Sequence, residues 1–388
     1  MDLAKQTVTC EGTFTGRSFD VAYDYLIIAV GNKTNTFNTK GVVEREGREV
    51  FFLKHLHHAR QIRNRILECF ERACNPLLSA EERSRLLSFV VVGGGATSCE
   101  FTTELADFLA QDVSKWYPDE ARDARVTLVE AGPRILGPFD EALAGYYQDH
   151  LEKRGVAMRT QTAVKEIWDG DDGEGHHTTR AHLSDGTMLP FGAMVWSAGL
   201  APVKFIETNA HALPLHERSK RILTDEYLRV TGTRGRVFAI GDCADVTNVP
   251  LPPTASVAEQ QGAYLVKCFN EHYTAFDPSD RAAALPLPGA VRPSAAPFSA
   301  LFLIDYMFPK QPTFRYVERG AMASMGFGGG VLDNSKSELG PLPQMTGWAA
   351  FISWRGAYLS KQISWANMLL IPMYWFKAAI FGRDISRF

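Results

Sequence analysis

Cysteine is scarce in this 388-residue sequence, and the six present (Cys10, Cys69, Cys74, Cys99, Cys243, Cys268) form no CxxC pair. That argues against a disulfide framework or a paired zinc site and fits reduced, buried thiols in a reducing compartment. Positive charge is not in excess: 41 Lys and Arg face 44 Asp and Glu, a net of −3, so the basic footprint of a nucleic-acid binder is missing. The first ten residues show neither an apolar signal core nor an Arg-rich amphipathic presequence. The longest apolar tract, Met368 to Phe376, is roughly half of the ~20 residues a spanning helix needs, so no integral membrane protein is expected. No repeat recurs at a solenoid period.

What is present reads as a globular α/β chain. Hydrophobic residues at 45% and charged ones at 22% are ordinary, and the length calls for two or three domains. Asp24 to Gly31 is a short apolar run ending in glycine, the pattern of a buried parallel strand. Lys54 to Ala73 reads as a helix closed by Pro76. Then come a strand (Ser88 to Gly95), a helix (Thr97 to Leu109), a strand (Arg125 to Glu130) and a helix (Asp140 to Lys153). Strand, glycine turn, helix, strand is the signature of a doubly wound sheet. Residues 169–177 gather carboxylates and two histidines. Strands rather than helices flank them, so a solvated hairpin tip is expected there rather than a metal loop, and no metal site is assigned. Val195 to Gly199 and Arg236 to Asp242 are two more strands ending at glycine, and 281–297 is an Ala/Pro-rich surface insertion.

Gly93-Gly94-Gly95-Ala96-Thr97 sits between strand and helix, where backbone N–H groups and a helix N-terminus can meet a pyrophosphate. Ser98 stands where the third glycine of the fingerprint is usual. Glu130, at the end of the next strand, is where a carboxylate would hold the ribose 2′-hydroxyl of NAD and repel a 2′-phosphate. Its 37-residue distance from Gly93 exceeds the ~20 expected, because 114–124 lengthens the crossover.

Phe238-Ala239-Ile240-Gly241-Asp242, read with Gly31 and with Ala198-Gly199, resembles the flavin side of flavoenzymes with two dinucleotide-binding domains. There the aspartate meets the ribityl and pyrophosphate part of FAD. The chain resembles the type II NADH dehydrogenases, single-subunit NADH:quinone oxidoreductases that pump no protons. Besides these turns, the resemblance rests on Pro253 to Gly262, Trp354 to Gln362 and Phe381 to Phe388. It implies a Rossmann-like NAD domain (85–200) inserted in an incomplete FAD domain (1–84 and 201–280). A C-terminal membrane-binding region (298–388) of amphipathic helices completes the expected order. The family's own FAD-binding GxGxxG is not found before Tyr23, so the FAD sheet is expected to lack a central strand and the purified chain to hold FAD weakly.

The resemblance further implies FAD and NAD(H) as cofactors, ubiquinone as acceptor, and a peripheral place on the mitochondrial inner membrane. Dimers through the C-terminal region are common in the family. Cofactor contacts are expected from Gly31, Gly93, Gly94, Gly95, Ala96, Thr97, Glu130, Ala198, Gly199, Gly241, Asp242 and Ala258. Glu100 is expected to position the rings or relay a proton, with helix capping as the alternative. Gln260 and Gln261 are expected at the flavin edge or the quinone carbonyl, with a polar helix start as the alternative. Aromatics from Trp348 to Phe376, interleaved with Arg355, Lys361 and Lys377, suit a headgroup boundary. Two competing readings are a catalytically degenerate structural subunit of a respiratory assembly and a soluble disulfide reductase. The second is disfavoured because Cys69 and Cys74 lie on a helix away from any glycine turn.

Overall fold

A computed structural model of the protein describes residues 1–171, 177–271, 313–338, 343–362 and 364–383. The chain divides into two units. One joins Met1–Lys33 to Leu200–Val317, and the other joins Thr34–Gly199 to Glu318–Phe388.

The second unit is built on five parallel strands in the order Val50–Phe52, Ala193–Trp196, Ser88–Val92, Arg125–Val129, Val156–Arg159. Alternation along each strand sends side chains to opposite faces. Phe89, Ala193 and Val195 enter a core with Ile62, Ile66 and Phe70 of the Leu56–Ala73 helix and Tyr147 and Leu151 of the Glu141–Lys153 helix. Val90, Val92, Met194 and Trp196 face the other way, against Ile167, Ala181 and Leu183 of a three-stranded antiparallel sheet. Both faces are covered, which is why SFVVV is apolar throughout instead of alternating. Phe70 is fully buried and lies 5.9 Å from the Phe89 ring, a burial that contributes about 1.5–3 kcal/mol. Asp140 caps its helix by accepting hydrogen bonds from the Ala142 and Leu143 amides, and Gly155 follows the helix end at φ +79.

The expected helices at 97–109 and 140–153 and the strands at 88–95 and 125–130 are present with small shifts of their ends. Ala80–Leu86, capped by Ser79, is a further helix that no periodicity signalled. The long crossover is a π-helical turn (Leu109–Val113) followed by short helices at Ser114–Trp116 and Pro118–Asp123. The tip of the 169–177 hairpin falls partly outside the described residues, and its flanking strands, Val164–Asp171 and His177–Leu183, pair antiparallel. The 281–297 insertion and 384–388 also lie outside.

The expected domain boundaries shift. Residues 34–84, assigned above to the FAD domain, fold with the Rossmann unit because Val50–Phe52 adds an edge strand beside Ala193–Trp196. Residues 318–388 belong to this same unit. Their antiparallel sheet (Ala321–Ser324, Gly330–Asp333, Met345–Thr346) places Ala323, Met325 and Val331 in the same core as Tyr147. Polar contacts fasten it. The Tyr147 hydroxyl donates to the Ser324 carbonyl. Arg154 Nε donates to buried Asp107 at 2.8 Å, its Nη2 reaches the Met325 carbonyl at 3.4 Å, and His150 Nε2 lies 3.1 Å from that carbonyl.

Two helices follow, Gly347–Ser360 and Trp365–Phe381. They are not amphipathic as expected. In the second, Met368, Ile371 and Trp375 are half-buried, while Leu369, Met373, Phe376 and Ile380 face outward, with Met373 and Phe376 65% and 66% exposed. The outward face is as apolar as the inward one, because Lys377 is the only charged residue in Trp365–Phe381. Among the described residues no helix is long and apolar enough to cross a membrane.

The first unit holds a parallel pair, Leu26–Ile28 with Val237–Ala239 in register Leu26↔Val237. A second parallel pair, Ile222–Thr224 with Ala244–Val246, and a hairpin of Thr7–Glu11 with Ser18–Ala22 complete the strands that matter here. The Ala255–Glu271 helix buries Val257, Leu265 and Cys268 in a core with Phe238 and Leu228.

Candidate functional site

In the Rossmann unit the glycine turn is shaped by close approach. Gly93 has φ +117, and a Cβ there would sit 2.8 Å from Ser98 Oγ and 3.2 Å from Ala198 Cα. A Cβ on Gly94 would fall 2.7 Å from Glu130 Cγ. Gly95 is exposed, nothing lies within 4 Å of where its Cβ would be, and no side chain caps the Ala96–Phe108 helix that it opens. The N–H groups of its first turn are therefore available to an anion, with the helix dipole favouring negative charge. Glu130 accepts from the Gly132 amide through Oε1, which holds the carboxylate against Gly94. Ser98, in place of the third glycine, lies 2.7 Å from the Ser197 hydroxyl and joins helix to strand. An open glycine cradle with a carboxylate at its rim fits the pyrophosphate and ribose of a nicotinamide dinucleotide.

In the other unit Gly241–Cys243 form a 3-10 turn after the Val237–Ala239 strand, with Gly241 at φ +71. The Asp242 carboxylate accepts from Asn32 Nδ2 at 3.0 Å. Both residues line a cavity of about 220 Å³ with Gly31, Pro202, Lys220 and Arg221. Gly31 is at φ +66, and no atom lies within 4 Å of a Cβ built there. A glycine-ended strand, an anchored aspartate and Lys220 around open space fit the sugar and phosphate part of a flavin dinucleotide, while the Arg221 guanidinium is held by Asp245 at 3.2 Å. Asn32, Lys220 and Arg221 were missed in the sequence. Asn32 was findable, since it directly follows Gly31.

The Pyridine nucleotide-disulphide oxidoreductase family model matches residues 1–262, and the NDH2 C-terminal domain model matches 319–384. A Dictyostelium discoideum protein named "Probable NADH dehydrogenase" is 36% identical over 384 residues, 98% of this chain and 73% of its own length. The internal alternative NAD(P)H-ubiquinone oxidoreductase A1 of Arabidopsis thaliana is 34% identical over 100% of this chain and 70% of its own. The chain belongs to the type II NADH dehydrogenase family. It spans 64% of another member, the external NADH-ubiquinone oxidoreductase 2 of Saccharomyces cerevisiae, at 32% identity. The fold is shared with the NDH2 structure from Plasmodium falciparum, with a TM-score of 0.80 at 21% identity, over 100% of this chain and 83% of that one.

Measured against this type II dehydrogenase frame, the expected site residues divide. Gly93, Gly94, Gly95, Ala96, Thr97 and Glu130 come together at one turn. Ala198 joins that turn through its contact with Gly93 rather than standing with the flavin residues. Gly199, at φ +71, is packed against the Phe37 ring, where a Cβ would lie 2.4 Å from Cζ. Gly31, Gly241 and Asp242 sit together in the other unit, with Ala258 Cβ only 3.4 Å from a Cβ built on Gly241.

The catalytic expectations meet geometry that uses the side chains elsewhere. Gln261 is buried, and its Oε1 accepts from the Gly241 amide at 2.7 Å, so it braces the Gly-Asp turn. Gln260 is occupied at both ends of its amide: Nε2 donates to the Val317 carbonyl and Oε1 accepts from the Val317 amide, each at 3.0 Å. The Gln260 amide therefore has both ends engaged by the Val317 backbone, while the bond that Gln261 makes uses its oxygen alone. Glu100 accepts from the Ser324 amide at 2.8 Å, and burial raises its carboxyl pKa above the ordinary carboxylate range. No capping bond from it is seen. Cys69 is buried, which pushes its thiol up to about 11, and Cys99 is pushed to about 12 for the same reason. Neither is a reactive thiolate.

Proposed function

We propose that the chain oxidises NADH through FAD and delivers two electrons to ubiquinone without pumping protons. What carries the reading is a pair of glycine–acid turns, Gly94 against Glu130 in one unit and Gly31 with Asp242 around one cavity in the other. Their integrity favours an enzyme over a degenerate structural subunit. Bound FAD would supply the hydride and electron chemistry. The protein's share is to hold and orient. Amides of Gly95 to Thr97 would hold the NADH pyrophosphate, Glu130 would accept hydrogen bonds from its ribose hydroxyls, and Asp242, steadied by Asn32, would hold the flavin's sugar chain. Glu100 keeps a proton at higher pH than an exposed carboxylate and can pass it on, while Gln261 fixes the turn that presents Asp242. The outward apolar faces of Gly347–Ser360 and Trp365–Phe381 rest on the bilayer, at the mitochondrial inner membrane, where ubiquinone is dissolved.

The test supplies FAD to the purified chain and follows the flavin absorbance band as NADH is added anaerobically, then as a soluble ubiquinone analogue follows. Bleaching by NADH and recovery with the quinone are expected, and a band that NADH leaves unchanged rejects the activity. Deleting 347–388 should release the protein from liposomes in a flotation assay; unchanged flotation removes the membrane role.

A further inference from the structure

The Gly347–Ser360 helix carries a cation, Arg355, that no ion pair engages among the described residues. The Arg355 guanidinium carbon lies 4.2 Å from the Trp375 ring centroid, 4.3 Å from that of Phe351 and 6.0 Å from that of Phe327. Among the described residues no hydrogen bond or ion pair engages this guanidinium, and its Nε is buried without a partner. Burial accordingly works against its charge, although Arg stays protonated at any physiological pH. The Glu104 carboxylate favours the charge but offsets its burial only in part. Glu104 shares the same cavity but is bound by Arg383 at 2.8 Å, and Arg383 also holds Asp112 at 3.0 Å.

Aromatic stacking explains only half of this arrangement. The two rings meet the guanidinium carbon within 4.3 Å, and the N–H donors of a guanidinium lie in its own plane, so ring contact leaves hydrogen-bonding capacity unused. A planar set of free donors matches two oxygens of a phosphodiester, the bidentate geometry Arg prefers. Beside it is a cavity of about 330 Å³ whose lining includes Gln111, Ser324, Trp354 and Arg355. The Trp365–Phe381 helix, which lends Trp375, Ala378 and Ala379 to that lining, also carries the exposed apolar row of Leu369, Met373, Phe376 and Ile380. A charge-bearing head and an apolar tail would be satisfied by one molecule.

We infer that Arg355, framed by Phe351 and Trp375, is a binding site for the phosphate of an anionic phospholipid whose acyl chains lie along the outward face of the Trp365–Phe381 helix. A quinone head carries no charge to neutralise the cation, and a free phosphate has nothing to place on the apolar row. The inference rests on the membrane reading above and assigns it a specific headgroup contact.

Two measurements on the full-length chain separate the two ideas. Native mass spectrometry in detergent, after adding phosphatidylglycerol, should show a retained lipid on the wild type, a weaker adduct on Arg355→Lys, whose ammonium keeps the charge but not the planar fork, and none on Arg355→Gln. Flotation with phosphatidylcholine vesicles, with and without phosphatidylglycerol, should show Arg355→Gln binding the anionic vesicles about fivefold less well, the share of one juxtamembrane cation, with no change on the neutral ones. Retention of the lipid by folded Arg355→Gln overturns the site. Wild-type protein that ignores both vesicles overturns the membrane reading, while the adduct measurement still decides the site. Should Arg355→Gln fail to fold, tryptophan fluorescence of the wild type against Trp375→Phe decides. Saturable quenching by a short-chain phosphatidylglycerol, absent with octanoate, inorganic phosphate or a short-chain ubiquinone, is expected from Trp375. Quenching by octanoate or the quinone in its place rejects the phosphate.

Discussion

Ser98 and Ser197 face each other with their hydroxyl oxygens 2.7 Å apart, one on the helix after the glycine turn and one past the end of a central strand. In the usual fingerprint a glycine at the Ser98 position lets helix and strand close up by removing a side chain. Here the contact is kept by a hydrogen bond, and the tight approach is met from the other side by Gly93, which has no room for a Cβ. Ser98→Ala should therefore lower stability by about 1 kcal/mol, the net worth of one such bond, with little effect on the KM for NADH. Ser98→Val should cost more, because a branched side chain meets Gly93 and Ala198. Denaturant titrations of the three proteins give the comparison, and a Ser98→Val variant as stable as the wild type would show that the turn can relax.

We propose that Glu130 sets the nucleotide preference. Its carboxylate is pinned against Gly94 by the Gly132 amide, so it cannot swing away from a 2′-phosphate. Glu130→Gln should keep the shape and remove the repulsion. We expect the ratio of kcat/KM for NADPH over NADH to rise by about tenfold, a change of about 1.4 kcal/mol. Steady-state kinetics with both nucleotides check it, and an unchanged ratio would place the ribose elsewhere.

The buried carboxyl of Glu100 predicts a pH dependence of stability. Burial raises its folded pKa above the ordinary 4.5, so the folded state binds this proton more tightly than the unfolded chain. The favourable contribution is complete below pH 4.5 and is lost as pH rises through the folded value. Glu100→Gln keeps an oxygen for the Ser324 amide and removes the charge. Its melting temperature at pH 7–8 should equal or exceed that of the wild type, with the difference vanishing toward pH 4. A variant less stable at neutral pH than at pH 4, relative to the wild type, would contradict the burial argument. If Glu100 also relays a proton, kcat falls in the same variant.

The Asp107–Arg154 pair joins two Rossmann helices beneath the C-terminal segment, which meets it through the Met325 carbonyl, 3.4 Å from Arg154 Nη2, and through Gly326, which leaves no room above the buried Asp107 carboxylate. Removing one partner leaves the other charge without compensation. Arg154→Met should destabilise by about 3 kcal/mol. Limited proteolysis should then cut near 318–320 faster than in the wild type. An unchanged cleavage pattern would mean that Tyr147 and the apolar contacts of Ala323, Met325 and Val331 suffice.

The βαβ core was legible because its signals are local. SFVVVGGG names a buried strand and a turn by composition alone, Asp140 announces a helix start, and Glu130 follows a strand of β-rich residues. The Gly241-Asp242 turn was legible for the same reason. The roles of Gln260 and Gln261 were not, because an amide can serve a ring or a backbone equally well. Only the fold brings the Gly241 amide and the Val317 backbone to them. The tail was half legible. Its aromatics and its two helices were plain in the sequence, but which faces point outward depends on what the helices pack against.

From the order of its residues alone, this protein is committed to glycine turns at strand ends and to two dinucleotide-type units, since hydrophobic runs and φ-permissive residues act over a few positions. Tertiary structure alone decided where the units divide, that 318–338 closes on the Rossmann core, and that Arg355 lies against two rings with no ion pair among the described residues. Those outcomes depend on contacts between residues far apart in the chain, and such contacts are chosen by the packing of whole surfaces rather than by any local preference.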